Sequence, residues 1–364
     1  MYLKKQLNIK ITGACNANCS FCGYNRDQLK TLSKQGIKPF KPGLKKIIER
    51  LPLLKAKGFG VLHLTGGEPL MEHDIFELIW QARKEGFQVR TGTNGSLLNE
   101  AVIKELAQAG LDYMWFSLDT YDLSAHCRHR GLEAYQSKME KSIEYLHKYK
   151  INFFGQTVLS RILPLEPGTS FLPYISEHLK FYREHYGIHR FVFSYPMHRT
   201  IENTTTNHWA TAGSETVTYT KAELIELFRH LMKAKQKERK SLIINPYLSL
   251  WQQIQELETG KSPAGCFAGH SLFFLGDDHQ TLRPCYYHAS DILDTLDNKP
   301  LQTSNQYRNC TDCRDQCFRD PSLAYAAQEN PLQFLRNTGL GFPQMLHLLS
   351  DAGALILHKG YKHV

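Results

Sequence analysis

Strand and helix signals alternate through the first two hundred residues, and no other feature of the sequence constrains the fold as tightly. A strand followed by a helix that returns to a neighbouring parallel strand builds a sheet wrapped by helices. Residues 8–11, 60–64, 87–91, 113–118, 151–159 and 190–195 read as strands. Residues 45–57, 74–85, 100–109, 135–148 and 171–186 read as helices, with Ile47, Ile48, Leu51 and Leu54 on one stripe and Met139, Ile143 and Leu146 on another. The expected class is α/β: a partial (β/α)6 TIM-like barrel over residues 1–200. A stretch rich in Thr, Asn, His and Gly (197–220) and a charged amphipathic helix (221–240) make residues 201–260 a linker and helix. Residues 261–330, with a strand signal at 271–275, form a small α+β cysteine-rich domain, and 331–364 a C-terminal helix.

At 42% hydrophobic and 22% charged residues, the 364-residue chain has the composition of a globular protein, not of a disordered or fibrous one. No apolar run approaches the roughly 18 residues that cross a bilayer, and Met1 leads into Lys4 and Lys5 rather than a signal-peptide core. A cytoplasmic protein with no membrane partner is expected. The net charge of +9 is local: residues 1–60 hold thirteen Lys and Arg against Asp27 and Glu49, or +11, which leaves −2 for the remainder. Such a segment either faces an anionic partner or is the solvated face of the helix that begins near Pro42. Aromatic residues of the kind that stack on bases are sparse in it, which argues against nucleic acid.

The nine cysteines fall as a triplet (Cys15, Cys19, Cys22), the single Cys127, and a quintet (Cys266, Cys285, Cys310, Cys313, Cys317). Clusters of this kind in a chain without a secretion signal point to metal or redox chemistry. The triplet sits on a loop leaving the first strand, with no fourth ligand at a usual zinc spacing. Three thiols suit a [4Fe–4S] cluster with one iron left open to coordinate a substrate. The CxxxCxxC spacing, with Phe21 before the third cysteine, resembles the signature of radical S-adenosylmethionine (radical SAM) enzymes.

The later segments follow in the order that family requires. Thr65-Gly66-Gly67-Glu68-Pro69 leaves the second strand, Thr93-Asn94-Gly95 ends the third, and Ser117-Leu118-Asp119 ends the fourth. The resemblance assigns Gly66, Gly67, Glu68 and Pro69 to the methionine amino group of SAM, and Thr93, Asn94, Ser117 and Asp119 to its carboxylate and ribose. Gln156, Val158 and Tyr195 are further candidates, although an alternating strand delivers such residues to a barrel interior in any case. The resemblance implies a reductive mechanism: an electron from the cluster cleaves SAM, and the 5′-deoxyadenosyl radical removes a hydrogen atom from a substrate. A reductant such as flavodoxin or ferredoxin is implied with it.

The quintet resembles the auxiliary-cluster domain called SPASM, or Twitch in its shortened form. The full pattern has seven cysteines and a CxxCx5CxxxC run, whereas five remain here and the last three read CxxCxxxC. One auxiliary [4Fe–4S] cluster is implied, with its four ligands unassigned among five, and zinc is an alternative occupant at this spacing. A spare thiol could donate a hydrogen atom to a radical. Cys127, in Ser124-Ala125-His126-Cys127-Arg128-His129-Arg130-Gly131, is another candidate donor, or else a small buried side chain. His126, His129 and Arg130 either meet an anionic substrate or form a solvated loop. The expected function is hydrogen abstraction from a small molecule of sugar, aminocyclitol or nucleotide type in a biosynthetic pathway. The alternatives are a SPASM-type maturase acting on a ribosomal peptide and a non-catalytic zinc or iron–sulfur protein that binds nucleic acid.

Overall fold

The computed structural model describes residues 3–19, 21–22, 43–160, 171–194, 219–238 and 242–338, with four positions between 30 and 36. Six expected strands form close to their predicted places: β1 (Lys5–Thr12), β2 (Phe59–Gly66), β3 (Gln88–Thr93), β4 (Tyr113–Ser117), β5 (Phe153–Val158) and β6 (Arg190–Ser194). The helices between them are α1 (Leu44–Ala56), α2 (Ile75–Lys84), α3 (Glu100–Ala109), α4 (Leu123–Arg130), α5 (Gln136–Lys148) and α6 (Phe171–Tyr186). Consecutive strands from β1 to β6 pair in parallel. Local chemistry marks the helix ends: Asn99 caps α3 by accepting from Val102 N at 3.0 Å, and left-handed Gly110 stops it.

Beyond α7 (Lys221–Lys237), whose capping box joins Thr220 and Glu223, the two-residue strand β7 (Leu242–Ile243) adds to β6 in parallel and α8 (Tyr247–Thr259) follows. The cysteine-rich segment adds β8 (Leu272–Leu275), β9 (Thr281–Arg283), β10 (Asp294–Thr295), α9 (Gln316–Glu329) and α10 (Pro331–Thr338). Its strands extend the barrel's own sheet. β8 pairs in parallel with β1, so the described ladder runs β10-β9-β8-β1-β2-β3-β4-β5-β6-β7. Residues 261–330 therefore lean on the first barrel strand as well as carrying their own aromatic core. The expected loop at 124–131 is helix α4, and α8 and α9 are helices that apolar periodicity did not reveal. Tyr195, most of the expected linker and the chain past Thr338 lie outside the described residues.

The strands divide two chemistries between their faces. Leu7, Ile9, Ile11, Leu62, Leu64 and Val89 point outward into the main core against the helices. The alternate residues Gln6, Asn8, Lys10, His63 and Arg90 are buried on the inner face. The basic segment also finds a structural use. Lys57 meets Asp294 at 2.8 Å with both side chains buried, and Lys10 meets Asp277 at 3.4 Å, so charges near the N-terminus clamp the cysteine-rich segment onto the barrel.

Candidate active site

The triplet loop leaves β1 at the carboxyl edge of the parallel strands, where open α/β sheets present ligand sites. The Gly66-Gly67 turn holds it there. Gly67 N donates to Thr12 O at 2.9 Å and Glu68 N to Ala14 O at 2.8 Å. The approach leaves no room for side chains: a Cβ on Gly67 would lie 2.0 Å from Ala14 O, and one on Gly66, at φ +140°, 2.1 Å from Thr12 O. Glu68 is buried and accepts from Thr93 Oγ1 (2.8 Å), Asn94 N (2.7 Å) and Leu70 N (3.1 Å). Burial pushes its carboxyl up to about 7 against those donors. Asn94 in turn donates to Asn16 Oδ1 at 2.9 Å, and Asn16 to Ser96 Oγ at 2.8 Å. The side chains expected to meet SAM thus also fasten the cysteine loop to β3.

A second clamp comes from α4. Asp119 is fully buried and takes a two-pronged bond from Arg130, Nε at 2.6 Å and Nη2 at 2.9 Å. Arg130 holds the Asp119 carboxyl well below the usual range despite its burial. The main chain joins in: Asn18 N donates to Arg130 O at 2.7 Å, and the Arg130 guanidinium lies 5.3 Å from the Phe21 ring. His126 Nδ1 accepts from Asp119 N at 3.1 Å, and burial lowers the imidazole to about 3, so it stands neutral.

Cys15, Cys19, Phe21, Cys22, Gly66, Gly67, Glu68, Pro69, Thr93, Asn94, Ser117, Gln156 and Arg130 line one cavity of about 220 Å³. Its deeper wall is the inner face of the barrel with Gln6, His63, Arg90 and Trp115, closed from the side by Gln316, Cys317, Asp320 and Pro321 of α9. Arg90 donates to Gln6 Oε1 and to the Tyr113 hydroxyl and lies between the Tyr113 and Trp115 rings at 5.5 and 5.6 Å. His63 bonds Asn8 Oδ1 at 2.9 Å, and burial beside Arg90 keeps its ring uncharged.

The donor set fits an iron–sulfur cluster. All three triplet thiols are free of disulfides. Burial, Glu68 and Cys22 push the Cys15 thiol up to about 12, and burial raises Cys19 as well, opposed by Arg130. Such thiols ionise when a metal compensates their charge, and Arg130 is placed to share the negative charge of a thiolate-ligated group. At the other end, Cys266, Cys285, Cys310, Cys313 and Cys317 gather around an aromatic nest of Phe267, Phe274, Tyr286, Tyr287, Tyr307 and Phe318. These thiols are also free. Cys285 is raised by burial and then by Cys313 and Cys266, and Cys313 by burial with Cys266 and Cys310 adding to it. That donor set fits a four-thiolate iron–sulfur centre or zinc. His288 Nε2 lies 3.6 Å from Cys310 Sγ and 3.0 Å from Asp312 Oδ2.

Other expected site residues lie elsewhere. Cys127 is fully buried with its Sγ 3.6 Å from Met139 Sδ, on the core side of α4 and outside the cavity, because the helix turns that position away from the sheet edge. That placement is the small buried side chain given as its alternative reading. Asp119 likewise faces Arg130 rather than the cavity, and Val158 contributes its backbone N–H to Asp119 Oδ1 at 2.9 Å. Gln6, His63, Arg90 and Trp115 were not anticipated. The signal was present as polar residues at alternate strand positions, which mark a buried polar interior once the strands are known to curve around it.

Residues 9–166 match the model of the radical SAM superfamily. The chain is 35% identical over 150 residues to a probable GTP 3′,8-cyclase of Thermococcus kodakarensis, covering 40% of this chain and 46% of that protein. It is 28% identical over 152 residues to an AdoMet-dependent heme synthase of Methanosarcina barkeri, covering 42% of each. The chain thus spans less than half the length of these curated relatives. Among solved structures, anSMEcpe with bound AdoMet superposes with a TM-score of 0.58 at 16% identity over 95% of this chain and 99% of that one. SuiB of Streptococcus suis bound to S-adenosylmethionine gives 0.56 at 16% identity, over 84% of this chain and 67% of SuiB. The fold is shared with both.

Proposed function

We propose that this chain, whose residues 9–166 match the radical SAM superfamily model, is an enzyme that cleaves SAM reductively and removes a hydrogen atom from a small-molecule substrate in a biosynthetic pathway. The observation that carries the reading is the convergence of Cys15, Cys19 and Cys22, the Gly66-Gly67 turn and the ends of β3 to β5 on one cavity. Cys15, Cys19 and Cys22 would hold a [4Fe–4S] cluster, and the cavity walls would hold SAM. Together these cofactors, reduced by a donor of flavodoxin or ferredoxin type, supply a carbon radical able to break a C–H bond. The chain's own contribution is positional. The Glu68 and Asp119–Arg130 clamps fix the cysteine loop, and the buried wall of Gln6, His63, Arg90 and Trp115 orients a polar substrate and excludes water.

A small substrate is favoured by the modest cavity of about 220 Å³ with Gln6, His63 and Arg90 in its wall, and by relatives named as a GTP 3′,8-cyclase and a heme synthase. The C-terminal segment is read as a Twitch-like domain, and the protein as cytoplasmic; among the described residues no helix is long and apolar enough to cross a membrane. The test is anaerobic reconstitution with iron and sulfide, reduction by dithionite, and addition of SAM. Formation of 5′-deoxyadenosine is expected. Its absence from protein carrying a full N-terminal cluster would refute the reading.

A further inference from the structure

Two guanidinium groups line the cavity, and only one of them has a counter-charge. Arg130 is paired with Asp119. Arg90, on β3 and only 8% exposed, makes no ion pair among the described residues. The carboxylates in the lining are engaged elsewhere: Glu68 with Thr93, Asn94 and Leu70, and Asp320 with Ser249 Oγ and, at 3.4 Å, Asn245 Nδ2.

The hydrogen-bond partners of Arg90 are neutral, and one of them is itself held in place. Its Nη1 donates to the Tyr113 hydroxyl and its Nη2 to Gln6 Oε1. Gln6 can turn only its oxygen to Arg90, because its Nε2 donates to Asn8 Oδ1 at 3.1 Å, while Asn8 Nδ2 donates to Phe273 O at 3.2 Å. Arg90 Nε has no acceptor. A guanidinium does not shed its proton in a protein. Taking it out of water without a counter-charge is costly, and neutral oxygens and aromatic faces repay only part of that cost. An oxyanion in the cavity would supply the missing charge. Arg90 lies three residues before Thr93 on the same strand, about 10 Å at the rise of a parallel strand. A molecule anchored at Arg90 therefore reaches back along β3 towards the end of the cavity lined by Cys15 and Gly67.

We propose that Arg90 is the anion anchor of the reaction cavity and that the substrate is an organic oxyanion, a carboxylate or a phosphate ester, held there with its reacting C–H bond directed towards the cysteine triplet. The proposal rests on the function argued above and narrows the substrate from a polar molecule to an anionic one. The rival partner for this charge is a cluster held by the quintet, since Arg90 opposes the rise that burial imposes on the Cys317 thiol.

The test uses the full chain reconstituted anaerobically with iron and sulfide, with SAM present and no reductant, and titrates it calorimetrically with glycerol 3-phosphate, glycerate and glycerol. Wild type should bind at least one of the two anions and show no measurable affinity for glycerol; the anion that binds tells a phosphate ester from a carboxylate. Arg90→Gln should weaken that binding by about tenfold or more and Arg90→Lys by less, with iron per chain equal to wild type in both. No binding of either anion, or equal affinity for glycerol, would overturn the proposal on wild type alone, whatever the folding of the variants. Undiminished anion binding by Arg90→Gln would overturn it by placing the anion on other basic residues. Loss of about four irons from Arg90→Gln, restored in Arg90→Lys, would overturn it by assigning the charge to the C-terminal centre. Formation of 5′-deoxyadenosine by reduced wild type judges the underlying function separately. The nucleoside without selective anion binding would remove the anchor alone, whereas anion binding through Arg90 without the nucleoside would remove the substrate assignment together with the function.

Discussion

Each of the three triplet thiols sits where neighbours built from other strands make it useful. Replacing Cys15, Cys19 and Cys22 by Ala should remove about four irons and abolish 5′-deoxyadenosine formation, checked by iron assay and product analysis. The loop's position depends on glycine as much as on sulfur. Gly67→Ala places a Cβ on Ala14 O, so the variant should fold with a displaced loop and take up markedly less N-terminal cluster, read from its absorption and iron content. Glu68 gives a pH signature. Its folded carboxyl keeps a proton to about 7, whereas the unfolded chain releases it near about 4.3. Between those values the folded state binds more protons, so this group's contribution to stability falls as pH rises, by on the order of 3 kcal/mol across the interval. Urea unfolding at stepped pH should show a flatter profile for Glu68→Gln.

The elements hold together through a few buried charges. Arg130 carries the end of α4 onto the cysteine loop through Asp119, both side chains nearly inaccessible. Breaking such a pair from one side leaves the other charge buried, so Asp119→Ala should destabilise the protein by about 3–5 kcal/mol in denaturant titrations. It should also free Arg130, loosening the loop and lowering cluster retention. The Lys57–Asp294 contact plays the same part between the end of α1 and β10. Lys57→Ala should expose the segment around 294–302, which Asp294 otherwise gathers through Gln302 N at 3.0 Å and Asn298 Nδ2 at 3.0 Å. Earlier proteolytic cleavage there, with the barrel intact, is the expected outcome.

At the scale of the molecule, a single described sheet runs from the cysteine-rich segment through the barrel, and the central cavity takes walls from both. Three of the described basic residues of the N-terminal segment serve that joint: Lys10, Arg50 and Lys57 meet acidic side chains of residues 277–297. The protein should therefore show little affinity for nucleic acid at about 0.15 M salt, where non-specific binders still hold micromolar affinity or weaker; fluorescence anisotropy with a salt titration would check this. The strand order, the helix stripes and the cysteine triplet were legible in the sequence because each rests on residues a few positions apart, governed by local periodicity and loop spacing. The small helix α4 was not, since His126, Arg128, His129 and Arg130 leave it almost no apolar stripe and its structure is stabilised by partners far along the chain. Sequence alone determined that three thiols share one loop, that a glycine turn follows the second strand and that five thiols gather near the other end. Only the tertiary structure decided that Asp119 serves Arg130, that Cys127 packs in the core, that alternate polar residues face a cavity, and that Cys317 faces it with them. Those outcomes depend on which faces meet across long separations in the chain, and no spacing between neighbouring residues encodes that.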